Sequence, residues 1–389
     1  MRDSAMRSIP QQIPVPDTLD VESIERTLAK LWQETAHERE HQVDDAVLRT
    51  RAADLMVYLK DESLLAQTHQ IISELATYHP CRAVLMAGDR TAPKRDIEMY
   101  VSAHYSSEKR VASSRLCCEE ITLTARGEFV SELPSAAVPL LVPDLPVFLW
   151  WRDETGAEEK VLSQLCQAAD RLIIDSADSP DPAGHIDSVA RKLKLAREEE
   201  IVLSDINWAR LLPWRASLAH FYDVQGCRTA LDQIDHVRID FTGEPEKSSI
   251  VSVQGLLIAG WLASRLDWKL ADKTQALASQ GRTYNFSKDD RSVVVSFNVI
   301  HRPAMKTGRL TQIELENSEL KAVFGVSRSE DGTHLETWTQ IGGQSYPSRS
   351  LPVRNMSDAQ LLSREMEMLC DDKVYEEAIA AAMEMVRHR

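Results

Sequence analysis

Three groups of residues in the 389-residue chain have types and spacing that could do chemistry. Cys117 and Cys118 are adjacent thiols, and a thiolate from either would be a nucleophile or a redox partner. On a strand their side chains point to opposite faces, so a bond between the two would be strained. Glu119 and Glu120 beside them would raise a thiol pKa, which counts against reactivity. His79-Pro80-Cys81-Arg82 offers a base and an anion ligand, but no matched nucleophile or paired carboxylate accompanies it, and it reads as a helix stop before a strand. Trp208, Arg210, Trp214 and Arg215 form a compact set of residue types enriched at protein interfaces, and Trp208 and Arg215 share a helix face.

The usual cofactor signatures are missing from the sequence. No GxGxxG follows a strand candidate and no GxxxxGK[ST] occurs; the first strand-to-helix loop, Leu59-Lys60-Asp61-Glu62-Ser63, carries acids where a phosphate would sit. No GxSxG elbow accompanies His301, and Gly342-Gly343 reads as a turn. The six cysteines show neither a CxxC pair nor metal-type Cys/His spacing, so neither a disulfide framework nor a zinc site is expected. No cofactor and no catalytic residue is assigned.

The elements that would position these groups are legible in outline. Val138 to Arg152 runs through three prolines into Val147-Phe148-Leu149-Trp150-Trp151, an apolar run suited to a strand covered on both faces. Its exit at Trp151 and Arg152 is where α/β proteins often place binding surfaces. Strands at 53–58 and 81–87 flank a helix at 63–78 and form a β-α-β unit. Residues 96–105 and 115–126 read as further strands, 129–141 as a helix. After Asp205 the pattern changes: one helix at 207–222, a strand at 236–242, a helix at 248–266 with Gly255, Ala259 and Ala263 in a row, four strands between 292 and 341, and two terminal helices, at 357–370 and 372–387. The expected fold is an α/β N-terminal domain with a mostly parallel sheet, followed by an α+β domain with an antiparallel sheet. The expected divisions are a mobile tail at 1–19, the first domain with a leading helix at 20–204, and the second at 205–389.

A formal net charge of -15 argues against nucleic acid or an anionic membrane as the main partner. The first residues lack the apolar core of a signal peptide, and the most apolar helix, near 250–266, is too short and polar to span a bilayer. A cytoplasmic location is the default.

Several stretches resemble the glucose-6-phosphate dehydrogenase assembly proteins, the OpcA family. They are His79-Pro80-Cys81-Arg82-Ala83-Val84, Val138 to Pro146 with Trp150-Trp151, Trp208 to Arg215, and Leu257 to Leu266; Cys117 to Leu123 is similar to the form in cyanobacterial-type members. The resemblance implies a non-catalytic partner that binds glucose-6-phosphate dehydrogenase, favours its active oligomer and so supports the oxidative pentose phosphate pathway and NADPH supply. It also implies a link to thioredoxin, with Cys117 and Cys118 as redox candidates. Trp151, Arg152, Trp208, Arg210, Trp214 and Arg215 are the candidates for partner contact. A second reading makes the α/β half a sugar-phosphate enzyme or sensor, with Arg82, Arg90 and Arg95 near strand ends.

Overall fold

A computed structural model describes residues 9–14, 21–37, 52–93, 96–105, 117–153, 156, 158–177, 179–224, 226–244, 251–271, 275–277, 281–353, 356–368 and 371–387. Arg95 and Cys370 lie outside them, as does the side chain of Cys117. The chain forms two compact units. The first comprises 1–174, 195–204 and 356–370; the second comprises 175–194, 205–355 and 371–389.

The first unit contains β1 (Ile9–Pro14), α1 (Val21–His37), β2 (Ala53–Leu59), α2 (Leu65–Leu75), β3 (Cys81–Asp89), β4 (Ile97–Tyr105), β5 (Cys117–Arg126), α3 (Leu133–Ala137), β6 (Val147–Arg152), α4 (Glu159–Cys166) and β7 (Arg171–Ile174). α5 (Pro182–Glu198) and β8 (Val202–Asp205) follow. The sheet order is β1-β4-β5-β3-β2-β6-β7-β8. β5, β3, β2, β6 and β7 pair in parallel, whereas β1 and β4 add an antiparallel edge. Numbered in chain order, the six strands from β5 to β8 read 3-2-1-4-5-6, the doubly wound order of dinucleotide-binding folds. β6 lies between β2 and β7 and is buried from Val147 to Trp151, as its unbroken apolar run requires.

Three expectations for this unit are corrected. Ile9–Pro14 is not tail but an edge strand on β4, and an edge is where strand prolines such as Pro10 and Pro14 are tolerated. The expected helix at 129–141 breaks into a 3-10 segment, the single turn of α3 and a second 3-10 turn, because Pro134 and Pro139 each remove a backbone donor. α10 (Asp358–Glu367), close to the end of the chain, belongs here: Ser357 and Gln360 form its capping box, and both also bond into this unit, Ser357 to Glu74 and Gln360 to the Tyr78 hydroxyl at 3.1 Å.

The second unit takes in most of α5, within 175–194, and continues with α6 (Ile206–Arg210), α7 (Leu212–Asp223), α8 (Arg228–Leu231), β9 (His236–Thr242) and α9 (Val253–Leu266). Then come β10 (Lys269–Leu270), β11 (Gln275–Leu277), β12 (Gly281–Lys288), β13 (Arg291–Ile300), β14 (Leu310–Asn317), β15 (Ala322–Arg328), β16 (His334–Ile341), β17 (Gln344–Pro352) and α11 (Lys373–Arg387). Its sheet runs β10-β12-β13-β9-β14-β15-β16-β17, with β11 on β12. It is antiparallel except for β13 on β9. The helix expected at 207–222 is two, parted at Leu211, two residues before Pro213. Where α9 meets α11 the small residue that matters is Gly260: a Cβ there would lie 2.2 Å from the Ala378 carbonyl oxygen. Gly255 instead faces the Phe297 ring.

Candidate functional site

In a doubly wound sheet, ligands bind beyond the carboxyl ends of the strands at the point where strand order reverses, here between β2 and β6. This chain fills that place with its own side chains. The loop after β2 turns through a 3-10 segment at Glu62–Leu64, and the Asp61 carboxylate accepts the Ser63 N–H at 2.8 Å. An anion held by amides at that helix start would meet this carboxylate. At the end of β3, where an acid commonly holds a ribose, Asp89 accepts the Thr91 N–H at 2.8 Å, the Thr91 hydroxyl at 2.7 Å and the Ala92 N–H at 3.1 Å. Those bonds, chiefly from Thr91, hold its pKa below the usual carboxylate value.

The arginines on this edge are each engaged. Arg90 pairs with Glu158, at 2.7 Å for one of the two contacts. Arg126 pairs with Glu62 at 2.6 Å and Asp96 at 3.2 Å. Arg152 bonds Thr68 and Gln67 of α2 and lies 4.7 Å over the Trp150 ring. Trp151 is 4% exposed, stacked on Tyr58 at 4.2 Å, and its indole N–H donates to the Asp153 carbonyl at 2.7 Å. Arg82, buried, holds Glu119, Glu25 and the Leu140 carbonyl. It is a structural ion-pair centre.

A second cluster lies on the sheet face covered by α2. Cys118 and Cys81 sit opposite each other on parallel neighbours, with sulfurs 3.1 Å apart. Both are buried and free. The hydrogen bond to Cys81, then burial, pushes the Cys118 thiol well above its ordinary pKa. Two residues along, Glu120 accepts from His104 Nε2 at 2.9 Å and the Ser102 hydroxyl at 3.1 Å, and pairs with His69 Nδ1 at 2.6 Å. Burial would push Glu120 up, but the two imidazoles outweigh it and hold the carboxyl at about 2. The structure thus brings Cys118 together with Cys81. Among the described residues no group of three or more His, Cys, Asp or Glu is placed to hold a metal.

In the second unit, Trp208 is 5% exposed and Trp214 1% exposed. The Trp208 indole N–H donates to Asp372 at 2.7 Å; its ring lies 5.4 Å from Tyr375, with the Arg215 guanidinium 3.6 Å above it. Arg210 pairs with Asp175 at 2.6 Å. Trp151, Trp208 and Trp214 are therefore packing residues in the folded chain, and what these stretches leave partly open is the arginines. At the root of α6, buried Asp205 accepts the Asn207 N–H at 2.9 Å, the Ser176 N–H at 3.0 Å and the Tyr375 hydroxyl at 2.9 Å. Asn207 in turn accepts from Gln254 at 2.8 Å. Burial raises Asp205 to about 6. This clamp went unread in the sequence, although an Asp two residues before an Asn at a strand end is a recognisable helix-cap signal.

Family models match most of the chain. One described as the glucose-6-phosphate dehydrogenase subunit N-terminal domain covers residues 72–191, and one described as its C-terminal domain covers 201–379. The chain belongs to the OpcA family. A relative from Nostoc punctiforme named "Putative OxPP cycle protein OpcA" is 28% identical over 321 residues, 80% of this chain and 66% of the relative. The protein of the same name from Synechocystis sp. is 25% identical over 325 residues, 82% and 66%. This chain thus spans about two thirds of the length of those two relatives. Similar solved structures include an NAD-binding oxidoreductase from Klebsiella pneumoniae, 8% identical, covering 87% of this chain and 96% of that one at TM-score 0.47. An oxidoreductase from Sinorhizobium meliloti is 14% identical, covering 87% and 88% at TM-score 0.44. Likeness at this level assigns no activity. Among the described residues no helix is long and apolar enough to cross a membrane.

Proposed function

We propose that this protein is a non-catalytic assembly factor and activator: it binds glucose-6-phosphate dehydrogenase in the cytoplasm, promotes its active oligomer and so supports the oxidative pentose phosphate pathway and NADPH supply. Family membership supports the partner. The observation that supports a non-catalytic role is the crevice at β2 and β6, where Asp61 occupies the helix start and Arg90, Arg126 and Arg152 are each engaged within the chain. A factor of this kind acts by binding the active state of its partner better than the inactive one.

Partner contact through Arg152, Arg210 and Arg215 belongs to this proposal, with Trp150 packed beneath Arg152 and Trp208 beneath Arg215, while Trp151 and Trp214 are buried in the fold. A thioredoxin link through Cys117 or Cys118 is the part with least support, because the Cys118 thiol is buried and held protonated. The test is to add the purified chain to cognate dehydrogenase while following rate, half-saturation by substrate, and oligomer mass. The expected result is a higher rate at limiting substrate and a shift to the larger species; no change in all three at excess chain removes the proposal. Calorimetry with sugar phosphates and nicotinamide nucleotides tests the rival enzyme reading, and heat from either would favour it.

A further inference from the structure

The sheet of the second unit has two unlike faces. Helices reach it from one side: Phe221 of α7 lies 5.5 Å from Phe324, Gly255 of α9 faces Phe297, and Asn317 donates to the Ala230 carbonyl of α8 at 3.0 Å. The strand registers give the composition of the other side. One row crosses six strands as Thr283, Ser296, Arg238, Glu314, Gly325 and Trp338. In the rows on either side the ionisable residues are Glu316 and His236 in one, Asp240 and Glu336 in the other. On this face Arg238, Glu314, Glu316 and Trp338 remain partly open to solvent and Glu336 is exposed, while Thr283, Ser296 and Asp240 are buried.

Across these three rows the charge is one-sided, with Lys269 opposite Ser287 at the β10 edge of the same face. Asp240, Glu314, Glu316 and Glu336 stand against Arg238 and His236. Arg238 is already engaged by Asp240 at 2.8 and 2.9 Å, with Glu314 at 3.7 Å. Burial raises the Glu314 pKa despite Arg238, and Glu316 and Asp240 add to the rise. Beside these acids Trp338 lies flat across Gly325, so close that a Cβ at 325 would fall 2.0 Å from the indole. An indole face next to carboxylates suits a guanidinium or ammonium group, through cation–π attraction and ion pairing together. A second copy of the chain docked here by two-fold symmetry would set acids against acids, and apolar side chains are too few for the core of an obligate homodimer.

We propose that this sheet face is a docking surface for a protein partner that presents lysine and arginine. Resting on the function proposed above, that partner is the dehydrogenase.

The test is a binding titration of cognate dehydrogenase with the full chain and with Glu316→Lys/Glu336→Lys, the single variant Glu336→Lys, Trp338→Ala and, as a control, Asp232→Lys/Glu384→Lys on exposed acids elsewhere in the unit. The expected result is roughly tenfold or greater weakening by the double reversal, a smaller loss for each single variant, steep salt dependence for the parent and no loss for the control. If the double reversal does not fold, Glu336→Lys at its exposed position decides alone. A parent that binds while every face variant binds equally well overturns the docking surface and leaves the function standing. A parent that does not bind at all removes both. A chain that self-associates and is made monomeric by Glu336→Lys shows the occupant to be a second copy, which also overturns the proposal.

Discussion

The sheet of the first unit and the sheet of the second differ in what they leave for others to touch. The first is covered where it is apolar, and its carboxyl edge is occupied by Asp61, Asp89 and paired arginines. The second keeps one face open and loads it with acids. A fold whose usual ligand edge is filled from within, joined to a sheet with an unspent polar face, is better equipped to bind a protein than a nucleotide.

That contrast can be broken at several points, taken here from the largest expected effect. Arg82→Met removes the guanidinium that faces buried Glu119 in the first unit, and should cost about 3–5 kcal/mol in chemical denaturation. A loss near zero would mean that the β3–β5 seam does not depend on this ion pair.

Next come two buried carboxylates whose shifts have opposite sign. Glu120 is held at about 2 against an ordinary 4.5, so its contribution is complete above 4.5 and is lost as pH falls toward 2. Its partner His69 is raised above 6.5; although burial opposes the shift, Glu120 prevails, so that contribution is present below 6.5 and fades as pH rises past the folded value. Asp205 is raised from 3.8 to about 6, so its penalty is absent below 3.8 and grows until the pH has passed about 6. Each carboxylate effect is on the order of 3 kcal/mol. Stability followed against pH should lose the first slope in Glu120→Gln and the second in Asp205→Asn. An unchanged profile in either variant would show that the shift assigned to that carboxylate is wrong.

Smaller is Asp61→Ala at the crevice, expected to cost about 0.5–2 kcal/mol as a lost cap. The parent should give no heat with nicotinamide nucleotides; binding by the parent would contradict a crevice closed from within. Smallest is Glu336→Lys on the open face, expected to change stability by no more than about 0.5 kcal/mol. A large loss of stability there would mean that the face is structural and not spare.

Much of this architecture was legible in the sequence, for identifiable reasons. β6 could be read because a run of five large apolar residues has no place but a covered strand, and the unit β2-α2-β3 because His79-Pro80 marks the break before β3, although α2 already ends at Leu75. The broken helices were misread because the apolar period continues across Pro134, Pro139 and Pro213 while the hydrogen bonds do not. β12 and β17 escaped notice: β12 mixes polar and apolar residues, and β17 is exposed throughout and contains Pro347 and Pro352. The site candidates were harder. Trp208 and Trp214 have the composition of an interface, but burial belongs to the fold, and only the structure placed their rings inside. The Cys81–Cys118 contact and the acidic rows of the open face depend on register between strands distant in sequence, which no local pattern encodes.

The central claim is that this chain works through glucose-6-phosphate dehydrogenase and does no nucleotide chemistry itself. Its most direct test is the rate of that dehydrogenase at limiting sugar phosphate as the purified chain is added. The account predicts a saturable rise in rate with no turnover by the chain alone. A flat titration, or turnover by the chain in the absence of the dehydrogenase, would contradict it.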